Sequence, residues 1–167
     1  MNNKTEDLFE GMLIEEDNFF IQVEAESDQQ IIRLIGNHFF KKGFVKESYT
    51  QAVLDREEIY PTGLEAPGGG IAIPHTDAHH VHTSTIGVAT LKSPVEFRVM
   101  AEPDKVVSVS VVMMLAVSDP QKVIPVLTKV ISIVEDEDAV KELIASTSKE
   151  HAKELVVNHI RSHYNVE

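Results

Sequence analysis

Apolar residues along the chain change their spacing twice, and each change marks a different kind of element. Ser27 and Gln30 form a capping-box pattern, behind which Ile31, Ile32, Leu34, Ile35 and Phe39 recur at helical spacing until Gly43 stops them. This predicts a helix over about 28–41. Tyr49, Ala52 and Val53 share one face of a second helix, which runs through Asp55-Arg56-Glu57 and ends shortly after Arg56, before the break at Pro61-Thr62-Gly63. Pro67-Gly68-Gly69-Gly70 then excludes helix, and Ile71-Ala72-Ile73, bounded by Pro74, predicts a brief buried strand.

Ile86 to Leu91 and Val106 to Val117 are further strands, the second almost continuously apolar, as happens when both faces of a sheet are covered. Phe19 to Val23 adds a candidate edge strand. Helical spacing returns after Asp119-Pro120, where Val123, Leu127, Val130, Ile131 and Val134 make a stripe and Pro125 fits only near the first turn. Asp136 caps a short helix carrying Ala139, Val140, Leu143 and Ile144; Ser148 caps a last one carrying Ala152, Leu155, Val156 and Ile160. Two helices, three or more strands and three helices predict an α/β fold: a three-layer α/β/α sandwich with a small mixed β-sheet flanked by helices on both faces.

Composition narrows the possibilities. At 167 residues and 43% hydrophobic content, residues 1–167 are expected to form a single domain. No stretch approaches the roughly 18 to 20 apolar residues of a membrane span, and Met1 to Asp7 lacks the basic start of a secretory signal, so a cytoplasmic protein with no membrane insertion is expected. The absence of cysteine removes disulfides, thiolate zinc sites and thiol nucleophiles. A net charge of -12, unrelieved by any dense lysine or arginine cluster, argues against nucleic acid as a partner. Eight carboxylates from Glu6 to Glu26 face a single Lys4, a solvated acidic face able to steer a basic partner.

The chemistry concentrates in Pro74-His75-Thr76-Asp77-Ala78-His79-His80-Val81-His82, which holds four of the eight histidines. Imidazoles with Asp77 suggest a metal, but the spacing fits no helical face and a structural zinc usually also draws a ligand from a distant segment; no metal or other cofactor is expected. The other chemistry open to a neutral imidazole is nucleophilic attack on phosphorus. His75 is the best placed, because it follows a proline at the end of a buried strand, whereas His79, His80 and His82 fall in predicted loop. His151, His159 and His163 belong to the last helix and need no function. The triple glycine lacks the lysine of a nucleotide loop and is read as allowing a partner to approach.

Gly70-Ile71-Ala72-Ile73-Pro74-His75, preceded by Arg56-Glu57 and Pro61-Thr62-Gly63-Leu64, resembles the mannitol/fructose-type IIA domains of the phosphoenolpyruvate-dependent sugar phosphotransferase system. Pro-Thr-Gly-Leu and Pro-His-Thr-Asp are most similar to galactitol-specific IIA proteins. The resemblance implies a phosphoryl carrier that accepts phosphate on His75 from the histidine-containing carrier HPr and donates it to a cysteine of a IIB component. It places Arg56 beside the phosphorylated imidazole, where a guanidinium suits the phosphoryl oxygens. It also implies IIB on a separate chain and, indirectly, a membrane IIC subunit that selects the sugar.

Mannitol-type members carry a second histidine where this chain has Gln121-Lys122, so either His80 or Gln121 is expected to take over its hydrogen-bonding part. The carrier chemistry needs His75 neutral, with its other ring nitrogen held by a backbone carbonyl or a side chain. The alternative function is a regulatory module like the nitrogen-related IIA proteins, whose phosphorylation state controls partner proteins.

Overall fold

The computed structural model describes residues 11–164. The acidic residues Glu6, Asp7 and Glu10, and the polar start Met1 to Asp7, lie outside them. Chain order is strand β1 (Phe19–Val23), helices α1 (Asp28–Lys41) and α2 (Tyr49–Ile59), strands β2 (Gly63–Leu64), β3 (Gly70–Ala72), β4 (Thr85–Val99) and β5 (Glu102–Ala116), then helices α3 (Val123–Val134), α4 (Glu137–Ala145) and α5 (Lys149–Tyr164).

The helices start where their capping residues stand. Ser27 accepts from the Gln30 amide, Asp136 from that of Ala139 and Ser148 from that of His151. The Asp119-Pro120 signal opens a single 3-10 turn, Pro120–Lys122, and α3 follows at Val123 with Pro125 inside its first turn, where no backbone donor is lost.

The five strands form one mixed sheet. β1 and β5 flank β4, the first parallel and the second antiparallel, while β3 runs parallel to β5. β2 joins β3 antiparallel and reaches the far end of β4 at Val99. β4 and β5 exceed their sequence windows, β5 by starting at Glu102, and β2 has no window at all. β4 continues eight residues beyond Leu91, because Lys92, Ser93 and Pro94 occupy an exposed irregularity in the β4–β5 ladder between Thr90 and Val95, and pairing resumes at Val95. β2 is only two residues long and has no periodicity of its own; pairing with Ile71 and Ala72 makes it a strand.

Alternation along β5 explains the three layers. Val111, Met113 and Leu115 face one side, with Ile71, Ile73, Ile86 and Val88, and are covered by Val126, Val130, Val140, Leu143, Val156 and Ile160 of α3, α4 and α5. Val112, Met114 and Ala116 face the other, with Ala72, Ala89 and Leu91, under Ile31, Ile35 and Phe39 of α1 and Tyr49 and Val53 of α2. Full burial of each large side chain contributes about 1.5–3 kcal/mol, so neither helical layer is dispensable.

The glycine run has a different role from the one expected of it. A Cβ at Gly68 would lie 2.8 Å from the Glu137 carbonyl oxygen and 2.8 Å from Val140 Cβ, and one at Gly70 would overlap the Ser108 carbonyl. These glycines let the chain entering β3 press against α4 and β5 inside the protein, and no partner approach is needed to explain them. Gly70→Ala is therefore expected to lower stability by about 1–3 kcal/mol in denaturant unfolding, because the obstacle is backbone and has no rotamer to change.

Candidate functional site

β3 ends at Ala72, and the buried pair Ile73-Pro74 carries the chain to His75 at the edge of the sheet. Two backbone bonds fix that exit. The Leu115 amide of β5 donates to the Pro74 carbonyl at 3.0 Å, and the Tyr49 hydroxyl at the start of α2 donates to the Leu115 carbonyl at 2.7 Å. His75 then turns back on its own strand, with Nδ1 2.8 Å from the Ile73 carbonyl oxygen. A carbonyl only accepts, so the proton of the neutral ring sits on Nδ1 and the lone pair on Nε2. Burial lowers the His75 pKa below its ordinary value; the Ile73 bond opposes this, and the nearby Arg56 charge reinforces it. Near neutral pH the ring is the uncharged, nucleophilic form.

Arg56 reaches the same cleft from the last turn of α2. The cleft, of about 480 Å³, is lined by Arg56, His75, Thr76, Asp77, Ala78 and His79, with Pro120, Val123, Ile124 and Leu127 on its apolar side. Arg56 Nη1 stands 3.9 Å from Asp77 Oδ1, a loose pair in a half-exposed setting, and its guanidinium carbon lies 5.4 Å from the centre of the Tyr60 ring. Its Nε is buried without a hydrogen-bond partner among the described residues. An unpaired buried donor costs about 1–3 kcal/mol.

The structure brings His75 and Arg56 together and leaves His80 apart. His80 Nδ1 is 2.7 Å from Ser48 Oγ, its carbonyl accepts from the Lys46 amide, and its ring stacks on His79 at 3.9 Å; it does not line the cleft. Gln121 is exposed on the 3-10 turn beside Pro120. The hydrogen bond that orients His75 comes from the Ile73 backbone, not from either side chain. His159 is buried between α3, α4 and α5, with Nδ1 3.3 Å from Asp136 Oδ2 and Nε2 3.4 Å from Ser132 Oγ. Among the described residues no three His, Asp or Glu side chains converge as a metal-ion group. A second groove, beside α1 and α2, is lined by Asp28, Arg33, Asp55, Glu57, Glu58 and Arg98 and contains no histidine.

Two residues that the sequence reading used only as a neighbour of Arg56, as part of a break and as family motif positions, Glu57 and Thr62, were given no role there. Both are buried, and the Glu57 carboxylate accepts from the Thr62 amide and hydroxyl, each at 2.7 Å. The signal was the spacing of four from Tyr49 to Val53 to Glu57, which carries the carboxylate onto the helix face that packs inward.

Comparison with known proteins agrees with this geometry. Residues 12–159 match the family described as phosphoenolpyruvate-dependent sugar phosphotransferase system, EIIA 2. The galactitol-specific EIIA component of Escherichia coli K12 is 34% identical over 129 residues, covering 76% of this chain and 85% of that protein. The crystal structure of IIA mannitol from Escherichia coli is 27% identical with a TM-score of 0.70, covering 87% of this chain and 99% of that one. A second structure, the complex of enzyme IIA mannitol with phosphorylated enzyme IIB mannitol from Escherichia coli, is 26% identical with a TM-score of 0.69, covering 87% and 99%. The fold, the strand-end histidine and these likenesses converge: this chain belongs to the EIIA type 2 family of the phosphoenolpyruvate-dependent sugar phosphotransferase system.

Proposed function

We propose that this chain is a phosphoryl carrier for the uptake of a sugar or sugar alcohol of the galactitol kind, phosphorylated on Nε2 of His75. The observation that carries the reading is the 2.8 Å bond from Nδ1 to the Ile73 carbonyl, which leaves Nε2 as the nucleophilic nitrogen beside Arg56. In the first half-reaction the Nε2 lone pair forms the N–P bond as the phosphorus–nitrogen bond of phosphorylated HPr breaks. With Nδ1–H retained the phosphorylated ring is formally cationic, and the Ile73 carbonyl stabilises it. In the second half-reaction a IIB cysteine thiolate on a separate chain attacks phosphorus, and the ring leaves as neutral imidazole. IIB then serves a membrane IIC subunit. The exposed end of the Arg56 guanidinium holds the phosphoryl oxygens in both steps.

Both partners must reach the same nitrogen in turn. The apolar side of the cleft suits such alternating contacts: Ile124 is 76% exposed, and Tyr60 lies exposed beneath the Arg56 guanidinium. HPr and IIB are expected to compete for this surface. The 34% identity to a galactitol-specific component favours transport over a regulatory role of the nitrogen-related kind.

Incubation with phosphoenolpyruvate, enzyme I and HPr is expected to add one acid-labile group of about 80 Da to the intact protein and none to His75→Ala. No addition to the native chain, with HPr itself phosphorylated, would overturn the reading. Titration of His75 followed by NMR should give a pKa below the ordinary histidine value, so the attacking neutral form persists into mildly acid solution. Arg56→Gln removes one of the charges that lower this pKa, so the midpoint should move up, while phosphoryl uptake slows on the order of 100-fold. An unchanged midpoint and rate would remove Arg56 from the site.

A further inference from the structure

Glu57 is 6% exposed, and no step of the transfer chemistry touches it. Burial pushes its pKa up, so an ionised carboxylate at this position opposes folding, and the two Thr62 bonds offset that cost only in part. Arg98 of β4 does not neutralise it by a direct pair; its guanidinium donates to the backbone carbonyls of Glu57 and Glu58.

The hydrogen bonds lead elsewhere. Glu57 Oε1 accepts the Thr62 hydroxyl proton at 2.7 Å, which leaves the hydroxyl lone pairs pointing outward, and Thr62 Oγ1 accepts the Ile73 amide at 3.2 Å. Ile73 then receives the His75 Nδ1 proton on its carbonyl at 2.8 Å. The Ile73 residue is therefore held on its amide side by Thr62, while the next carbonyl, that of Pro74, is held by the Leu115 amide. Glu57 also follows Arg56 directly on α2, so the same carboxylate sets the helix that carries the guanidinium against the strand end that carries the imidazole.

We propose that Glu57 and Thr62 are positioning residues of the phosphoryl site: together they hold the Ile73 amide, and so the backbone of the residue whose carbonyl selects the Nδ1-protonated ring, and keep Arg56 at a fixed separation from Nε2. The proposal rests on the reading of His75 as the phosphorylated residue. A misplacement of about 1 Å at a reacting group is enough to cost on the order of 100-fold in rate, so a clamp distant from the reacting atoms has a measurable consequence.

Thr62→Val keeps the side-chain shape and removes the hydroxyl, and Thr62→Ser keeps the oxygen. The measurements are the ring ¹⁵N shifts of His75 in the unphosphorylated protein and the rate of phosphoryl uptake from phosphorylated HPr. Thr62→Val is expected to lose the preference for the Nδ1-protonated ring and to take up phosphate about 10-fold or more slowly through kcat, with KM for phosphorylated HPr held; Thr62→Ser restores both. Glu57→Gln, which removes the buried charge and folds without it, should shift both readouts in the same direction and decides the matter if Thr62→Val does not fold. A wild-type tautomer and rate in Thr62→Val or, if it does not fold, in Glu57→Gln would overturn the proposal. If the native chain takes up no phosphoryl group at all, the carrier reading fails instead, and the tautomer measurement still decides whether the clamp exists.

Discussion

The bond between His75 Nδ1 and the Ile73 carbonyl works only if the end of β3 cannot move, because a carbonyl that drifts selects neither ring nitrogen. A three-residue strand has little rigidity of its own. It borrows it from three directions: parallel pairing with β5, the Leu115 amide on the Pro74 carbonyl, and the Thr62 hydroxyl on the Ile73 amide. The glycines before it serve the same end, since any side chain at Gly70 would push β3 off β5.

Helix α2 completes the frame. Its first residue, Tyr49, is fully buried and bonded to the Leu115 carbonyl; near its other end Glu57 grips Thr62. The helix is thus tied to the strand-end region at both ends, and Arg56 rides on it as a side chain of a fixed element. A group that must stabilise phosphoryl oxygens during transfer gains most when its position is set before the partner arrives. The loose 3.9 Å approach to Asp77 suits the same task, because the guanidinium is placed without being fully neutralised.

Burial has opposite consequences for the two ionisable groups of this frame. For His75 it favours the neutral ring, the form with a free lone pair on Nε2. For Glu57 it penalises the charged form that the Thr62 hydroxyl needs as its acceptor. The molecule keeps a costly buried carboxylate close to His75, linked to the imidazole through the Thr62 hydroxyl and the Ile73 backbone.

The period of apolar residues determined the order of helices and strands and the helix caps at Ser27, Asp136 and Ser148, because these depend on neighbours a few residues apart. The continuously apolar β5 foretold helices on both faces of the sheet, and Pro74-His75 behind a short strand, with Arg56 ending a helix, already held the site pair. What the chain alone did not decide was every contact between distant segments. β2 exists through its pairing with β3 and β4, and β4 runs on past Lys92-Ser93-Pro94 because β5 lies beside it. The sequence left the orienting partner of His75 open between a carbonyl and the side chains of His80 and Gln121, and the fold chose the Ile73 carbonyl. That choice depends on where the strand end turns, and tertiary packing sets the turn.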